Sequence, residues 1–211
     1  MISIIENNKT LNIKLDIAIF NTSNTWFDLS KLQKSITLQL SNVFNVSVNE
    51  YKLILNCDVN IISKKNQLSP TKILIQIVDS LNGNNPAEAD FGGLRIKLNT
   101  LVVQDIINGI NTRTIPHEIG HLFGWNHPHA NAQYESINPN GHELEKQLTE
   151  LERKCNLMSQ SWYAQKAEIP LNKAMNITTQ QIELLKQNFK NDLLNKNYHL
   201  NYFLFWKKLV D

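Results

Sequence analysis

The sequence predicts an α+β fold, on the strength of two observations. Strand patterns around one helix occupy the chain before residue 104, and helical patterns follow them. The chain has 211 residues, of which 42% are hydrophobic and 19% charged, so it can bury one good apolar core. A linker or a repeat that would separate independent units is not found in the sequence. We therefore predict a single domain over residues 1–211.

The strands come first. Apolar residues alternate or cluster at strand spacing over Leu11–Phe20, Tyr51–Ile62 and Lys72–Val78. Residues 79–93, rich in Asn, Gly and Pro, predict a loop. The pattern over Leu94–Val103 then predicts a further strand, which leads toward the histidine-rich segment of the chain.

One amphipathic helix is predicted between the first two strands, over Leu29–Phe44. Either Asp28 or Ser30 can cap its first turn. Apolar residues recur every fourth position, so that one face of this helix can pack on the sheet. These residues are Leu32, Ile36, Leu40 and Phe44.

Two further helices are predicted in the second half of the chain. The segment His142–Lys154 is charged and amphipathic. The segment Thr178–Leu194 has Thr178 or Thr179 as its cap, and we expect the aromatic tail after it to pack back onto the body. The predicted buried stripe of the last helix is Ile182, Leu185, Phe189 and Leu193.

The composition excludes two classes of partner. The net charge of +2 is too small to indicate nucleic-acid binding, and no apolar run approaches the roughly 20 residues of a membrane span. The N-terminus lacks the basic and apolar regions of a conventional signal peptide. Cys57 and Cys155 fit either one disulfide or two thiols, so the cellular compartment stays open.

Residues 114–129, TIPHEIGHLFGWNHPH, contain four of the six histidines in the chain. Pro116 fits the first turn of a helix, with Thr114 as a cap just before it. His117 and His121 are four residues apart, so both imidazoles can reach one ion from the same helix face. Glu118 lies beside them, where it can deprotonate a metal-bound water. This is the H-E-x-x-H pattern of zinc peptidases.

A third ligand follows from Gly124 and His127. A glycine three residues after His121 can adopt the left-handed conformation that ends the helix and turns the chain. His127 can then return to the same ion, giving three imidazoles and one open position, as in catalytic zinc sites. We predict one catalytic Zn²⁺ held by His117, His121 and His127, with Glu118 as the catalytic residue. The remaining histidines, His129, His142 and His199, are expected outside this set.

The segment 117–127, HEIGHLFGWNH, resembles the long zinc motif of the metzincin metallopeptidases. Members of this clan also carry a downstream Met-turn, whose methionine lies beneath the zinc. Met158, in CNLMSQS, is the preferred match, and Met175 is the competitor. The resemblance implies an upper subdomain, about 1–127, with a twisted mixed sheet, a backing helix and the active-site helix. A lower subdomain, about 128–211, would hold the Met-turn and a C-terminal helix.

The sequence departs from some metzincin subfamilies. Astacins and serralysins have a tyrosine two residues after the Met-turn methionine, where this chain has Gln160; Tyr163 is out of register. Pro128 follows the third histidine as in serralysins, but their glycine-rich calcium repeats are missing. The segment after residue 155 is also similar to metallopeptidase domains of bacterial polymorphic toxins. That similarity implies export on a carrier without a signal peptide, with a cytoplasmic location as the alternative.

The predicted function is that of a zinc-dependent endopeptidase, in which a zinc-activated water attacks the peptide bond and Glu118 is the general base. The alternative is a toxin or effector metallopeptidase of narrow specificity, delivered by a larger carrier, that cuts or binds one target protein. The expected partner is a protein or peptide substrate; a carrier, pro-segment or inhibitor protein fits the alternative. We expect the substrate to pair with the sheet edge near Leu94–Leu98.

Overall fold

A computed structural model describes residues 1–128, 148–159 and 174–196 of the chain. Its centre is a seven-stranded sheet with the order β3-β4-β2-β5-β7-β6, and β1 pairs with β2 beside this path. The strands are β1 (Ile2–Asn7), β2 (Thr10–Asn21), β3 (Ser47–Val48), β4 (Tyr51–Ile62), β5 (Ile73–Val78), β6 (Ala87–Ala89) and β7 (Arg95–Asn99).

The sheet is mixed. Strand β2 runs parallel to both β4 and β5, and β5 runs parallel to β7. Strands β1, β3 and β6 pair antiparallel with their neighbours. The central strands bury side chains on both faces, as expected of parallel strands that are covered by other elements. The predicted mixed sheet is confirmed, whereas the division into two subdomains near residue 127 stays a prediction.

Five α-helices accompany the sheet in the described residues. They are α1 (Leu29–Phe44), α2 (Thr100–Ile107), α3 (Thr114–Leu122), α4 (Glu150–Cys155) and α5 (Thr179–Lys190). Within the described part of the chain, none of them is long and apolar enough to span a bilayer.

Helix α1 has the bounds that the sequence predicts, and all four residues of its predicted stripe are fully buried. It packs on β4 and also contacts α2 and α3. Asp28 is the cap, because its side chain accepts a hydrogen bond of 3.0 Å from the Lys31 amide. The helix therefore contacts both the sheet and the helix that carries the histidines.

The prediction of one strand over Leu94–Val103 is wrong in its second half. The strand ends at Asn99, whose side chain accepts a hydrogen bond from the Leu101 amide and starts α2. The apolar residues after the cap Asn99 therefore belong to helix α2, which buries Val103 and Ile106.

Three strands were not predicted, and one of them is the two-residue strand β3, which pairs with β4. Strand β1 precedes the first predicted strand and pairs with it. Strand β6 lies within the predicted loop 79–93 and forms the edge of the sheet beside α3. The substrate edge expected at Leu94–Leu98 is therefore corrected, because β7 is paired on both sides, by β5 and by β6.

The later helices agree with the sequence in part. Of the segment predicted as His142–Lys154, residues 142–147 lie outside the described residues, and α4 begins at Glu150 after the cap Thr149. Helix α5 has the predicted cap, Thr178. Its predicted stripe is right for Ile182 and Leu185 but wrong for its last two members, Phe189 and Leu193, which are 37% and 49% exposed.

The stripe is wrong because α5 ends at Lys190 and turns two polar residues inward. Gln181 is fully buried and Asn188 is 5% exposed, and both hydrogen-bond to groups around the histidine segment. The tail beyond residue 196, predicted to pack back onto the body, lies outside the described residues.

Candidate metal centre

Helix α3 brings the motif into the interior of the protein. Its residues from Ile115 to Gly120 are buried, and it packs against β6, β7 and α1. Pro116 lies in its first turn, as predicted. The predicted cap at Thr114 is wrong, because Thr114 is the first helical residue. The side chain of Asn111 caps the helix instead, since its Oδ1 accepts hydrogen bonds from the Arg113 and Thr114 amides at 3.3 and 3.1 Å.

The helix ends at the predicted glycine. Gly124 has φ +80°, in the left-handed region, and its amide donates to the His121 carbonyl at 3.0 Å. The next amide, of Trp125, donates to the Gly120 carbonyl at 2.9 Å. These two bonds form a Schellman motif, which ends a helix by turning the chain sharply. The turn directs the following residues back toward the helix, so that His127 can reach His117 and His121.

The three histidines of the motif converge. The ring centroids lie 4.9 Å apart for His117 and His121, 5.3 Å for His117 and His127, and 4.8 Å for His121 and His127. One nitrogen from each ring lies within 4.8 Å of the other two. Among residues 1–128, 148–159 and 174–196, this triad is the one group of at least three His, Cys, Asp or Glu side chains able to hold an ion.

The donor set fits zinc. Tetrahedral coordination with Zn–N distances of about 2.0–2.1 Å places neighbouring ligand nitrogens about 3.3–3.4 Å apart. The Nε2 atoms of His117 and His127 are 3.3 Å apart. The Nδ1–H of His117 donates to the Leu157 carbonyl at 2.9 Å, which leaves a lone pair on its Nε2, facing His127. Similarly, the Nδ1–H of His121 donates to the Trp125 carbonyl at 2.8 Å.

The electrostatics of the site favour neutral imidazoles, the form that binds a metal. Burial lowers the pKa of His117 well below its usual value of 6.5, and the neighbouring His121 and Arg113 lower it further. Burial also lowers the pKa of His121 to about 4. Near neutral pH, these two rings therefore carry no proton that a metal ion would have to displace.

Glu118, which follows His117 in the chain, has a buried side chain, with 6% of its surface exposed. Burial, followed by the nearby charge of Glu88, raises its pKa to about 8. The charge of Arg113 and a hydrogen bond from the backbone amide of Ala89 act in the opposite direction. The chain therefore holds this carboxyl group where it can both accept and release a proton close to neutral pH.

Met158, the preferred methionine of the sequence analysis, is fully buried against α3. Its side chain lies so close to Gly120 that a Cβ there would have no room. The amide of Met158 donates to the side chain of Asn156 at 2.9 Å. The competitor Met175 is partly buried at the margin of the core.

Sequence reasoning missed Arg113. Its Nε donates to the Ala174 carbonyl at 3.0 Å, and its Nη2 donates to the carbonyls of Leu157, at 2.6 Å, and Ser159. Burial lowers the pKa of Arg113 to about 10, so the guanidinium stays charged near neutral pH. The sequence offered one signal: Arg113 lies four residues before His117, on the same face of the helix.

The other residues singled out in the sequence fall into two groups. Cys57 and Cys155 are free thiols, and Cys155 is not part of the histidine cluster. Burial raises the pKa of Cys57 to about 12, which makes it unreactive. The remaining residues lie outside the described part of the chain; these are His129, His142, Gln160, Tyr163 and His199.

Comparisons with known proteins found a weak structural similarity. The sequence matches no family model, and it matches no curated protein. Among solved structures, the chain is similar to archaemetzincin from Methanopyrus kandleri, with 12% sequence identity over 84% of this chain and 96% of that chain. The TM-score of 0.48 is too low to support an inference about activity, so function has to be inferred from the motif and the geometry of the triad.

Proposed function

We propose that this protein is a zinc-dependent peptidase, and more narrowly an endopeptidase. The observation that carries the proposal is the convergence of His117, His121 and His127 on one point, with their ligand nitrogens within 4.8 Å of one another. These three side chains would hold one zinc ion. When bound, zinc supplies Lewis acidity that polarises a carbonyl group and lowers the pKa of water.

Glu118 is the proton carrier in this proposal. It takes the proton of the attacking water and then delivers it to the nitrogen of the departing amine. Its burial, its place next to His117 in the chain and its raised pKa support this role, because a group that both takes and gives a proton works best with a pKa near the working pH. The amide of Ala89 on β6 helps to hold the carboxylate in place.

Met158 is the proposed floor of the site, in the manner of a Met-turn. Its full burial and its contact with Gly120, between the first two histidines of the motif, support this assignment. An apolar floor excludes water from the underside of the histidine rings, which strengthens the electrostatic interactions above it.

The substrate is proposed to lie extended along β6. This strand is the edge of the sheet next to α3, and its neighbour β7 is already paired on both sides. A peptide in extended conformation can continue the sheet at such an edge through backbone hydrogen bonds, largely without regard to its side chains. The edge also brings the peptide to Ala89, whose amide contacts Glu118.

The test is zinc analysis together with cleavage of casein and of a peptide library. We expect the purified full chain to bind zinc and to cut substrate, and chelation to abolish cutting. Glu118→Gln should retain zinc but lose roughly 10²–10⁴-fold in kcat. Glu50→Gln is the matched control, because it makes the same change at an exposed carboxylate in the turn between β3 and β4 and should stay active.

Each failure has a separate meaning. A chain that does not bind zinc would overturn the metal site. A chain that binds zinc but cuts nothing in the library would replace the general endopeptidase with the narrow effector or binding protein predicted as the alternative. Equal activity of wild type and Glu118→Gln would remove Glu118 from the mechanism.

A further inference from the structure

The carbonyl of Leu157 receives two hydrogen bonds from α3 and the residue before it. His117 Nδ1–H donates to it at 2.9 Å, and Arg113 Nη2 donates to it at 2.6 Å. A carbonyl oxygen has two lone pairs, so both bonds can form together. The orientation of the His117 ring therefore depends on an oxygen that a guanidinium group also holds.

The Arg113 side chain donates hydrogen bonds to two further carbonyl groups. Its guanidinium also binds the carbonyls of Ser159 and Ala174, which join two segments that are separate along the chain. The fork of a guanidinium can bind several oxygens at fixed angles, whereas the single ammonium of a lysine cannot reproduce that geometry. Arg113 thus fixes the position of the segment 157–159 relative to α3.

The main chain of Arg113 acts on the same histidine. The carbonyl of Arg113 accepts a hydrogen bond from the His117 amide at 3.0 Å, in the first turn of α3. Both the backbone and the ring of His117 are therefore tied to Arg113, the first directly and the second through Leu157.

We propose that Arg113 is a positioning residue for the metal site: it holds the Leu157 carbonyl so that the Nε2 of His117 faces His121 and His127. The inference rests on the proposed function, because it concerns the affinity of the triad for zinc. Arg113 does not belong to the metal-binding group, which consists of the three histidines. Its side chain orients the His117 ring through one shared oxygen atom, the carbonyl oxygen of Leu157.

A purely structural role for Arg113 would have a different signature. Loss of buried hydrogen bonds would lower the stability of the metal-free and zinc-bound forms equally. A positioning role would lower the stability of the zinc-bound form more than that of the metal-free form. Zinc stabilises the folded chain in proportion to its affinity for the folded state, so a weaker site gives a smaller stabilisation. The increase in melting temperature on adding zinc therefore distinguishes the two roles.

The experiment compares wild type, Arg113→Met and Arg113→Lys in the full chain. Zinc affinity is measured by competition with a chromogenic chelator, and melting temperature is measured with and without zinc. We expect Arg113→Met to lose roughly 10–100-fold in zinc affinity, the range typical of residues that support a metal ligand. The zinc-induced rise in melting temperature should shrink with it. Arg113→Lys should recover little, since lysine lacks the fork.

Gln39→Leu is the matched control. Gln39 is also buried and also holds a backbone carbonyl near the start of α3, that of Asn111 at 2.9 Å, but it does not contact the segment 157–159. This variant should lower the melting temperature and leave zinc affinity unchanged. Because Arg113→Met can fail to fold, Arg113→Ala is measured as well, with guanidinium added far below denaturing concentrations; restored zinc affinity supports the proposal.

Wild-type zinc affinity in Arg113→Met would overturn the positioning role and leave the proposed function intact. An equal loss of zinc affinity in Gln39→Leu would overturn it too, because general loosening of α3 would then explain the effect. If wild type itself binds no zinc, the proposed function has failed, and that outcome is recognised before any variant is made.

Discussion

His117 and His121 differ in how their rings are held. The ring of His121 donates to the carbonyl of Trp125, only four residues away, so the turn that ends α3 orients it locally. The ring of His117 donates to the carbonyl of Leu157, forty residues away, so it depends on a distant segment of the chain. The three ligands lie within eleven consecutive residues. The carbonyl groups that orient two of their rings, however, lie at very different distances along the chain.

The difference shows that a metal motif specifies ligand types and spacing but only part of the orientation. The hydrogen bond that orients His121 forms together with the helix. Gly124 makes the turn that ends the helix, and this turn positions the acceptor, the Trp125 carbonyl. Long-range support forms only when tertiary packing places the segment 157–159 beside α3. That segment is held by Arg113 from one side and by Asn156 and Gln181 from the other.

Breaking the long-range support should have the largest effect on stability. Asn156 and Gln181 are fully buried and exchange two amide hydrogen bonds, of 2.9 and 3.1 Å, and Asn156 also accepts from the Met158 amide. Asn156→Ala removes the side-chain oxygen that accepts from the Met158 amide and from the Gln181 side chain. Each of these two buried donors then lacks its acceptor, at a cost of about 1–3 kcal/mol. We expect a loss of roughly 4 kcal/mol by urea unfolding, with weaker zinc binding.

Asn188→Ala is the comparison for this prediction. It removes one bond, from the Asn188 side chain to the Phe123 carbonyl at 3.1 Å, and should cost about 1–3 kcal/mol. If Asn156→Ala costs no more than Asn188→Ala, the amide pair is not a special support of the segment 157–159.

Breaking the local support should have the next largest effect. Gly124→Ala places a side chain at φ +80° and against the Asn188 amide group, which combines backbone strain with overpacking. We expect a loss of roughly 3 kcal/mol in unfolding free energy, and weaker zinc binding because His127 follows the turn.

Gly109→Ala separates the two causes. Gly109 has a similar φ of +72°, but a Cβ there would meet nothing within 4 Å. It should therefore show the backbone strain alone, about 1–2 kcal/mol. Equal losses at both glycines would mean that Asn188 moves aside and that the turn tolerates a side chain.

The pH dependence of the metal-free protein tests the burial of Glu118, which lies between the two supported histidines. The pKa of Glu118 is raised from 4.5 to about 8 by burial, so the folded chain holds this proton more tightly than the unfolded chain. Its contribution to stability is fully present below pH 4.5 and is lost as the pH rises to about 8.

Between pH 7 and 8 we expect the unfolding free energy of metal-free wild type to fall by up to about 1.4 kcal/mol per pH unit. His117 and His121 contribute little in this window, because their lowered pKa values affect stability mainly below pH 6.5. Glu118→Gln should remove the slope. A slope that persists in the variant would assign it to another group.

Much of the local structure could be predicted from the sequence. The periodicity of α1 is unbroken from Leu29 to Phe44, and Gly124 stands where only a left-handed residue ends the helix well. The convergence of three histidines followed from spacing alone. These features depend on neighbours within one or two turns, which is the range over which a sequence pattern carries information.

The rest depended on competition between local patterns and tertiary contacts. The apolar run after Asn99 is compatible with a strand as well as with a helix. The Asn99 side chain accepts a hydrogen bond from the Leu101 amide, and this cap favours the helix. In α5, polar Gln181 and Asn188 turn inward because their side chains hydrogen-bond to buried groups of other segments. Gln181 pairs with the side chain of Asn156, and Asn188 donates to the Phe123 carbonyl. Arg113 was missed for the same reason: its three acceptors lie more than forty residues away.

The smallest expected effect on zinc affinity belongs to the local side of the comparison. The Trp125 indole N–H donates to the Gln181 carbonyl at 2.8 Å, whereas His121 binds the backbone carbonyl of Trp125. Trp125→Phe removes the indole bond and should cost about 1–3 kcal/mol. It keeps the backbone carbonyl, so zinc affinity should stay at the wild-type value in the chelator competition. A marked loss of affinity would show that the orientation of His121 depends on packing by α5 as well as on the turn, and the two histidines would then differ less than their contacts suggest.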